Sequence, residues 1–346
     1  MTTIELAEKG ILPDSLIRFG IRQLLRKRLH EESAEANPRL RQQKFDQLID
    51  SLRDSPVAID TRTANEQHYE VPTSFFSHVL GARLKYSSCY WPEGVADLNA
   101  AENAMLALSC ERAELADGQA ILELGCGWGS LSLWMAEQYP NSKIVAVSNS
   151  KTQREFIVAQ AQQRGLSNIE VITCDMNDFE IDCQFDRVVS VEMFEHIRNY
   201  AVLMQRVARW LKKDGKLFVH IFCHRSVMYP FETEGESNWM GRYFFTGGLM
   251  PSADTLLYFQ DDLHLENRWL VEGSHYQRTL EAWLTRTDLH SEEILEIFVN
   301  TYGEQDAAIW FRRWRMFFMA CAELFGFRNG SEWLVAHYLF NKPSAH

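Results

Sequence analysis

The sequence predicts an α/β fold built on a mostly parallel sheet with helices on both faces. Two observations lead to this prediction. Short apolar runs alternate with helical patterns between residues 119 and 221, and the first of these runs ends in a glycine-rich turn. Strands that alternate with helices are typical of parallel sheets. The predicted strands, two of which come from the C-terminal part of the chain, are 120–124, 143–147, 169–173, 185–191, 215–221, 264–269 and 332–340.

Helices are predicted where apolar residues recur at helical spacing. Within the alternating segment these helices connect consecutive strands. The predicted helices are two within 14–54, then 101–115, 129–139, 150–165, 199–212, 277–286 and 305–325. Because the chain shows no internal repeat and no Pro/Gly/Ser-rich linker, we expect the outer segments to be additions to one core.

The expected organisation has three parts. Residues 1–99 form an N-terminal helical cover, and residues 100–224 form the central core with its ligand site. Residues 225–346 form a helical lid over a substrate pocket and return the final strand to the sheet. Ligands of such sheets bind beyond the carboxyl ends of the parallel strands, so this edge is where function is expected.

Composition excludes several classes of protein. Acidic residues outnumber basic ones, 47 to 35, and the net charge is −12, whereas nucleic-acid-binding proteins usually present a basic surface. The seven cysteines contain no C-x-x-C pair and no spacing typical of a metal site. They indicate a reducing compartment and no metal. The sequence shows no secretory pattern and no apolar run of membrane-spanning length, so we expect a cytoplasmic protein without membrane insertion.

The glycine-rich turn occupies residues 123–129, directly after the first strand. Gly125, Gly127 and Gly129 alternate with other residues and follow the acidic Glu123. Alternating glycines let the backbone turn tightly into a helix and approach a ligand closely. The third glycine comes one residue earlier than in the dinucleotide-binding pattern. The turn therefore predicts a ligand site of a different kind, with an ordinary strand-to-helix turn as the alternative.

Polar residues follow the second and third strands. Asn149 and Gln153 come after the second strand, where an acidic residue commonly bonds ribose hydroxyls. Here these two amide side chains would have to supply those hydrogen bonds; the alternative is that they cap the next helix. Asp175 follows the third strand, where a carboxylate can accept a hydrogen bond from the amine of adenine. A turn-forming aspartate explains Asp175 equally well. All three are candidate ligand contacts.

The most reactive cluster follows the fourth strand and contains Glu192, Glu195 and His196. On a helical turn, residues three and four apart lie on one face. Two carboxylates and an imidazole together suit the binding of a cationic amine and the removal of its proton. An imidazole with an ordinary pKa of about 6.5 can accept that proton at neutral pH. The alternative is a solvated charged turn.

Taken in order, these motifs resemble the cyclopropane-fatty-acid-synthase-like branch of class I methyltransferases, whose glycine turn has the same spacing. Within that branch the chain is similar to the coclaurine N-methyltransferase group. The resemblance covers most of the chain and implies a Rossmann-like seven-stranded sheet. The matching segments are 64–72, 84–90, 192–196, 243–251, 256–262 and 322–327.

The resemblance implies S-adenosylmethionine as the cofactor and a small amine as the substrate. It assigns catalysis to Glu192, Glu195 and His196. The implied cofactor contacts are Tyr86, Ser87, Gly125, Gly127, Asn149, Gln153, Asp175 and Met176. The implied amine-pocket residues are Tyr69, Glu70, Phe245, Trp314 and Phe317. Aromatic rings attract cations through their quadrupole, although core packing is the competing explanation for each ring.

Two positions separate the branches of this family. Lipid-modifying members carry Cys at the position of Ser88, as part of a bicarbonate site, and usually Gly at the position of Glu192. Both differences favour methyl transfer to nitrogen, although Ser88 also departs from the plant amine enzymes, which usually have Cys there. His220 and Glu195 fit either branch.

Three interpretations of the chain stay open at this point. One is an amine N-methyltransferase, for which a homodimer is one expected oligomeric state. Another is an enzyme that modifies lipid acyl chains, with the basic stretch Arg22–Arg28 at a membrane surface. The third is a non-catalytic binding module that kept the fold.

Overall fold

The computed structural model describes residues 2–33, 37–59, 71–235 and 238–343. The described residues form a seven-stranded sheet and a separate two-stranded ribbon. The strands are β1 Ala120–Leu124, β2 Lys143–Ser148, β3 Ile169–Thr173, β4 Phe185–Val191, β5 Leu211–His224, β6 Tyr229–Pro230, β7 Leu249–Met250, β8 His264–Val271 and β9 Trp333–Asn341.

The helices surround the sheet and also form a large layer at its carboxyl edge. Those in the first part of the chain are α1 Thr3–Glu8, α2 Asp14–Ser33, α3 Pro38–Arg53, α4 Thr73–Val79, α5 Leu98–Arg112 and α6 Ser130–Gln138. Those that follow are α7 Lys151–Gln163, α8 Tyr200–Trp210, α9 Trp239–Tyr243, α10 Gly273–Leu289, α11 Ser291–Tyr302 and α12 Ala307–Gly326.

The sheet has the order β3-β2-β1-β4-β5-β9-β8. Strands β1 to β5 run parallel, whereas β9 pairs antiparallel with both β5 and β8. The predicted α/β class and all seven predicted strands of the sheet are confirmed. The chain reverses between β1 and β4, since β2 and β3 extend one way and β4 and β5 the other. This reversal is where open parallel sheets bind ligands.

The first and last helices of the chain pack together. Arg18 on α2 makes ion pairs with Glu281 on α10 and Glu323 on α12, with nitrogen–oxygen distances of 2.6 and 3.1 Å. A buried cluster rich in aromatic rings fills the space between these helices and the sheet. The predicted boundaries near 99 and 224 stay a prediction, but the outer parts meet in one helical layer.

The sequence analysis did not predict the short helices α1, α4 and α9 or the longer helix α11. It also expected 277–286 where α10 extends over Gly273–Leu289. Among the residues that the structure describes, none of the helices combines the length and the apolar character needed to cross a membrane.

Candidate active site

The glycine turn lies at the carboxyl end of β1. Gly125 has a φ of +79°, and a Cβ atom there would lie 2.6 Å from the side chain of Met193. Gly127 has a φ of +51° and faces open space. L-residues with side chains rarely adopt positive φ angles. The turn therefore requires glycine at both positions, and at Gly127 it presents bare backbone to a ligand.

A cleft with two lobes runs over this turn. The lobes share four lining residues, which are Gly125, Gly127, Gln153 and Glu192. One lobe extends toward the ends of β2 and β3, and its lining includes Asn149, Asp175, Met176, Met193 and His196. The other extends under the segment before α5, and its lining includes Lys85, Tyr86, Ser87, Glu123 and Trp128. The structure thus brings all eight predicted cofactor contacts to one cleft.

Gln153 offers this cleft an unused hydrogen-bond donor. Its Oε1 accepts from the Ser148 hydroxyl at 2.6 Å. Its Nε2 is buried and has no partner within the described part of the chain. Such a donor is costly to bury unpaired, so a bound ligand that accepts from it relieves the cost. Ser150 caps α7 by accepting from the backbone of Gln153, which leaves Asn149 on the cleft wall.

Asp175 serves the local turn and the cleft together. Its Oδ1 accepts from the backbone and side-chain nitrogens of Asn177, at 2.8 and 3.0 Å. The same residue lines the cleft beside Met176. Both interpretations of Asp175 from the sequence are therefore compatible with its position.

Glu123, at the end of β1, is buried and accepts a hydrogen bond from the Ser132 hydroxyl. Burial raises the pKa of this carboxyl group to about 8. The side chain is therefore a neutral hydrogen-bonding group in the floor of the cleft at pH 7.

A second cavity adjoins the cleft and contains about 770 Å³ of empty space, part of it open to solvent. Its wall is mostly aromatic and sulfur-containing. The lining residues are Tyr86, Glu192, Glu195, His196, Phe222, Phe231, Met240, Phe245, Met250, Tyr276, Leu280, Trp283, Phe317, Ala320, Cys321, Leu324 and Phe325. Glu192, His196 and Tyr86 line both this aromatic cavity and the cleft, so they mark the junction between them.

The predicted amine-pocket residues divide into three groups. Phe245 and Phe317 lie on the wall of the aromatic cavity. Trp314 is fully buried one layer behind, with its ring 5.6 Å from that of Phe317, and is not among the described lining residues. Trp314 therefore supports the wall instead of forming it, because helix α12 turns it toward Phe75 on α4. Tyr69 and Glu70 lie outside the described residues.

Glu192 occupies the centre of the junction with an unusual backbone. Its φ is +47°, a conformation that is strained for a residue with a side chain. Three donors hold its carboxylate: the Ser88 N–H at 3.1 Å, His220 at 3.2 Å and the Tyr276 hydroxyl at 2.7 Å. Burial raises the pKa of Glu192, while the charge of Lys85 and the hydrogen bond from Tyr276 oppose that rise.

Glu195 differs from Glu192 in how its carboxyl group is hydrogen-bonded. It is 2% exposed, and its Oε2 has no hydrogen-bond partner among the described residues. Burial, followed by the charge of Glu192, raises the pKa of Glu195 well above its ordinary value. Burial therefore favours the neutral form of this carboxyl group. A cationic ligand would favour its ionised form.

His196 differs from the expectation of an ordinary imidazole. Burial and the neighbouring charge of Arg198 lower its pKa to about 4. Its ring stacks against Phe245, with centroids 6.0 Å apart and planes 7° apart. The ring is therefore neutral at pH 7 and able to accept a proton, although it holds that proton weakly.

The local geometry of the cluster also corrects the sequence-based prediction. Phe194–His196 is a single turn of 3₁₀ helix, and Glu192 precedes it with a positive φ. The three side chains meet at the cavity because the chain bends there, and not because they share one face of an α-helix. At the bend, the Glu192 N–H donates to the His220 carbonyl on β5.

Several residues of the junction escaped the sequence analysis. Tyr276, on α10, donates to Glu192 from 84 positions away. Lys85 is buried and donates to the Ser87 hydroxyl at 2.5 Å and to the Ser88 carbonyl at 2.7 Å. Neither Tyr276 nor Lys85 stands out in a periodic sequence pattern. Their place at the junction becomes visible only when distant segments of the chain pack together.

Comparison with known proteins agrees with this geometry. A family model for mycolic acid cyclopropane synthetase matches residues 58–333. The chain is 40% identical over 342 residues to (S)-coclaurine N-methyltransferase of Thalictrum flavum subsp. glaucum. This match covers 97% of this chain and 94% of the relative. It is 31% identical to cyclopropane-fatty-acyl-phospholipid synthase of Escherichia coli strain K12, over 78% of this chain and 66% of the relative.

Among solved structures, the crystal structure of a coclaurine N-methyltransferase bound to N-methylheliamine and S-adenosylhomocysteine matches with a TM-score of 0.94. The identity is 37%, and the match covers 98% of both chains. A cyclopropane synthase from Mycobacterium tuberculosis, at 20% identity, shares the fold with a TM-score of 0.70; the match covers 83% of this chain and 100% of that one.

The fold and the glycine-turn cleft define a class I S-adenosylmethionine-dependent methyltransferase. The chain belongs to the mycolic acid cyclopropane synthetase family, and within it is a coclaurine N-methyltransferase-like member. It is an S-adenosylmethionine-dependent N-methyltransferase whose substrate nitrogen belongs to a small amine.

Proposed function

We propose that this N-methyltransferase acts on an aromatic, alkaloid-like amine held in the aromatic cavity. The observation that carries the proposal is the junction itself, where the Glu192 carboxyl group and the neutral His196 imidazole lie between an aromatic cavity and the cofactor cleft, with Glu195 on the cavity wall. Aromatic walls suit a planar, cationic guest. Relatives named (S)-coclaurine, pavine and (S)-tetrahydroprotoberberine N-methyltransferase support this substrate class.

The cofactor, when bound, supplies an activated methyl group on a sulfonium. We propose that the residues at the ends of β1, β2 and β3 hold it, together with Tyr86 and Ser87. Gly125 and Gly127 allow its close approach, Gln153 Nε2 and Asn149 bond the ribose, and Asp175 and Met176 hold the adenine. The unpaired donor of Gln153 fits this assignment, because ribose oxygens accept hydrogen bonds.

Transfer to nitrogen requires a free lone pair. Most amines are protonated at neutral pH, so the site must bind an ammonium and remove its proton before the methyl group moves. We propose that the Glu192 carboxylate attracts the ammonium and that the neutral His196 ring accepts the proton. Glu195 lines the same cavity with an unpaired carboxyl oxygen, which can accept a hydrogen bond from the ammonium.

The position of Glu192 distinguishes this reaction from lipid modification. The resemblance places a bicarbonate site around position 88 in the lipid branch. Here the Ser88 N–H and His220 both donate to the Glu192 carboxylate, which occupies the place of a small bound anion. A built-in carboxylate in that place favours amine methylation over cyclopropane formation.

The cytoplasmic location is also proposed. All seven cysteines lie in the described part of the chain and are free thiols there, which suits a reducing compartment.

A substrate screen tests the proposed function. The purified protein would be incubated with methyl-labelled S-adenosylmethionine and, in separate reactions, a benzylisoquinoline secondary amine, a simple phenethylamine, a polyamine or unsaturated phospholipid vesicles. We expect label on the nitrogen of the benzylisoquinoline, located by mass spectrometry, with turnover well above that of the other substrates. Label in the acyl chains of the phospholipid, or equal turnover with the polyamine, would contradict the proposal.

A further inference from the structure

A row of ring side chains crosses the sheet beside Glu192. His220 on β5 and His337 on β9 are direct cross-strand neighbours, and Trp269 on β8 lies opposite His337. Both histidines are completely buried, and their ring centroids are 4.6 Å apart. Methyl transfer as proposed above makes no use of His337, so the reason for burying this second imidazole needs an explanation.

The two histidines form part of a hydrogen-bonded chain that ends at Glu192. The guanidinium of Arg112, at the end of α5, lies 2.9 Å from His337 Nδ1. His337 Nε2 lies 2.9 Å from His220 Nδ1. His220 Nε2 lies 3.2 Å from Glu192 Oε1. Arg112 also stacks over the Trp269 ring, 5.2 Å from its centroid, which fixes the outer end of the chain.

The chemistry of the four groups determines the direction of every bond. A guanidinium only donates, so His337 Nδ1 must accept. A neutral imidazole carries one N–H, so His337 Nε2 donates to His220 Nδ1, and His220 Nε2 donates to the Glu192 carboxylate. Burial holds the pKa values of both histidines well below their ordinary range, which agrees with two neutral rings.

We propose that Arg112 and His337 are positioning residues that lock His220 in the tautomer that donates to Glu192. The proposal deepens the proposed function and rests on the role of Glu192 as the carboxylate that attracts the amine. Because the chain ends on a group that cannot accept a proton, it does not carry protons away from the site. It holds one N–H directed at the carboxylate.

Losing the lock would change the charge of Glu192. With the other tautomer, His220 would present a lone pair to the carboxylate, and the pKa of Glu192 would rise. The titratable groups that interact with Glu192 include Lys85, Cys89, Glu195, His196, Tyr276 and Cys321. Lys85 donates to Ser87 and Ser88, and Tyr276 donates to Glu192, so substitutions at Arg112 or His337 leave these hydrogen bonds in place.

Three variants test the lock through the pH profile of methyl transfer. His337→Phe keeps a ring of similar size but removes both nitrogens. His337→Gln is the matched control, because its amide restores an N–H donor near the Nε2 position. Arg112→Met keeps the length of the side chain and changes the partly exposed end of the hydrogen-bonded chain. It therefore provides the test if His337→Phe does not fold.

For His337→Phe and Arg112→Met we expect the acid limb of kcat/KM for the amine to move to higher pH. We expect turnover at pH 7 to fall about tenfold, while the dissociation constant of S-adenosylhomocysteine changes less than about threefold. His337→Gln should keep the acid limb of the original protein. The proposal is overturned if the acid limb of kcat/KM does not move in Arg112→Met. It is also overturned if the limb moves equally in His337→Phe and His337→Gln, because a packing role predicts those results.

A spectroscopic measurement on the original protein separates this proposal from the proposed function. With ¹⁵N-labelled histidine, the Nδ1 atoms of His220 and His337 should resonate as unprotonated nitrogens and the Nε2 atoms as protonated ones, assigned with His337→Gln. Arg112→Met should give a mixture of tautomers. A protonated Nδ1 on either ring in the original protein would overturn the lock, whatever amine the enzyme methylates.

Discussion

The cofactor cleft and the aromatic cavity meet at Glu192 but are built in different ways. The core of the cleft comes from a short stretch of chain, between Glu123 and His196, where strand ends and tight turns present backbone and small polar groups. The aromatic cavity draws its wall from segments between Tyr86 and Phe325. The cleft is thus a property of local turns, whereas the cavity is a property of how the C-terminal helices pack.

Because they are built differently, we expect the cleft and the aromatic cavity to contribute differently to the reaction. The cleft holds a ligand of fixed chemistry, so its residues should control cofactor affinity. Under the proposed function, the cavity holds the amine, so its residues should control which amine is accepted. Residues of the junction should control turnover. Substitutions in each of the three places test this division of roles.

The largest effect is expected at the junction, from Glu192→Gly. Glycine suits the φ of +47° at this position, so the backbone should keep its conformation. Without the carboxylate the ammonium is neither attracted nor oriented, and turnover should fall about 1,000-fold, within the range of acid–base contributions. Steady-state kinetics would measure this loss, and circular dichroism would check that the fold is intact.

A somewhat smaller loss is expected from His196→Ala. Removing the proton acceptor should lower kcat about 100-fold, while calorimetry shows little change in affinity for S-adenosylhomocysteine. The remaining turnover should increase at higher pH, because more of the amine then arrives unprotonated. Comparable losses in kcat and in cofactor affinity would show that His196 acts in the cleft and not as a base.

An effect confined to the cleft is expected from Gln153→Leu. The unpaired Nε2 donor is lost, and one hydrogen bond to the cofactor corresponds to about 1.4 kcal/mol, or tenfold in affinity. The amine KM should not change. Gln162→Leu, at an exposed position of the same helix, is the matched control. A weaker amine affinity in Gln153→Leu would break the separation between the two compartments.

The smallest effect is expected on the cavity wall, from Phe317→Leu. The amine KM should rise about threefold through loss of a ring contact of about 0.5–1 kcal/mol, with kcat and cofactor affinity unchanged. Phe318→Leu provides the control, since Phe318 is equally aromatic and buried on α12 but does not line the cavity. Equal changes in the two variants would point to helix packing instead of substrate contact.

The same comparison explains which parts of the fold and of the candidate site the sequence could predict. The strands and the glycine turn follow from local patterns, and the residues after β2 and β3 reach the cleft because parallel strands end at one edge. Glu192, Glu195 and His196 were found because their types and spacing are unusual. The sequence did not predict the geometry that joins them, because it does not reveal the positive φ of Glu192 or the single 3₁₀ turn that follows it.

The contacts that tune the junction could not be predicted from the sequence. Tyr276 and His337 act on a carboxylate or imidazole 84 and 117 positions away, and no local pattern records such pairings. The pKa of His196 was expected to be ordinary, whereas burial lowers it to about 4. Trp314 shares the spacing of the cavity-lining Phe317, yet tertiary packing decides which of the two rings reaches the surface of the cavity.

We infer that methyl transfer requires a carboxylate fixed at the junction of the cleft and the cavity. Chemical rescue of Glu192→Gly tests this requirement directly. Turnover of this variant would be measured with increasing formate, using chloride at equal ionic strength as the control. Formate can accept from the Ser88 N–H, Tyr276 and His220 in the vacated space. We expect the variant to lose activity and to regain about tenfold or more with formate but not with chloride. Turnover near that of the original protein without any added carboxylate would contradict this requirement.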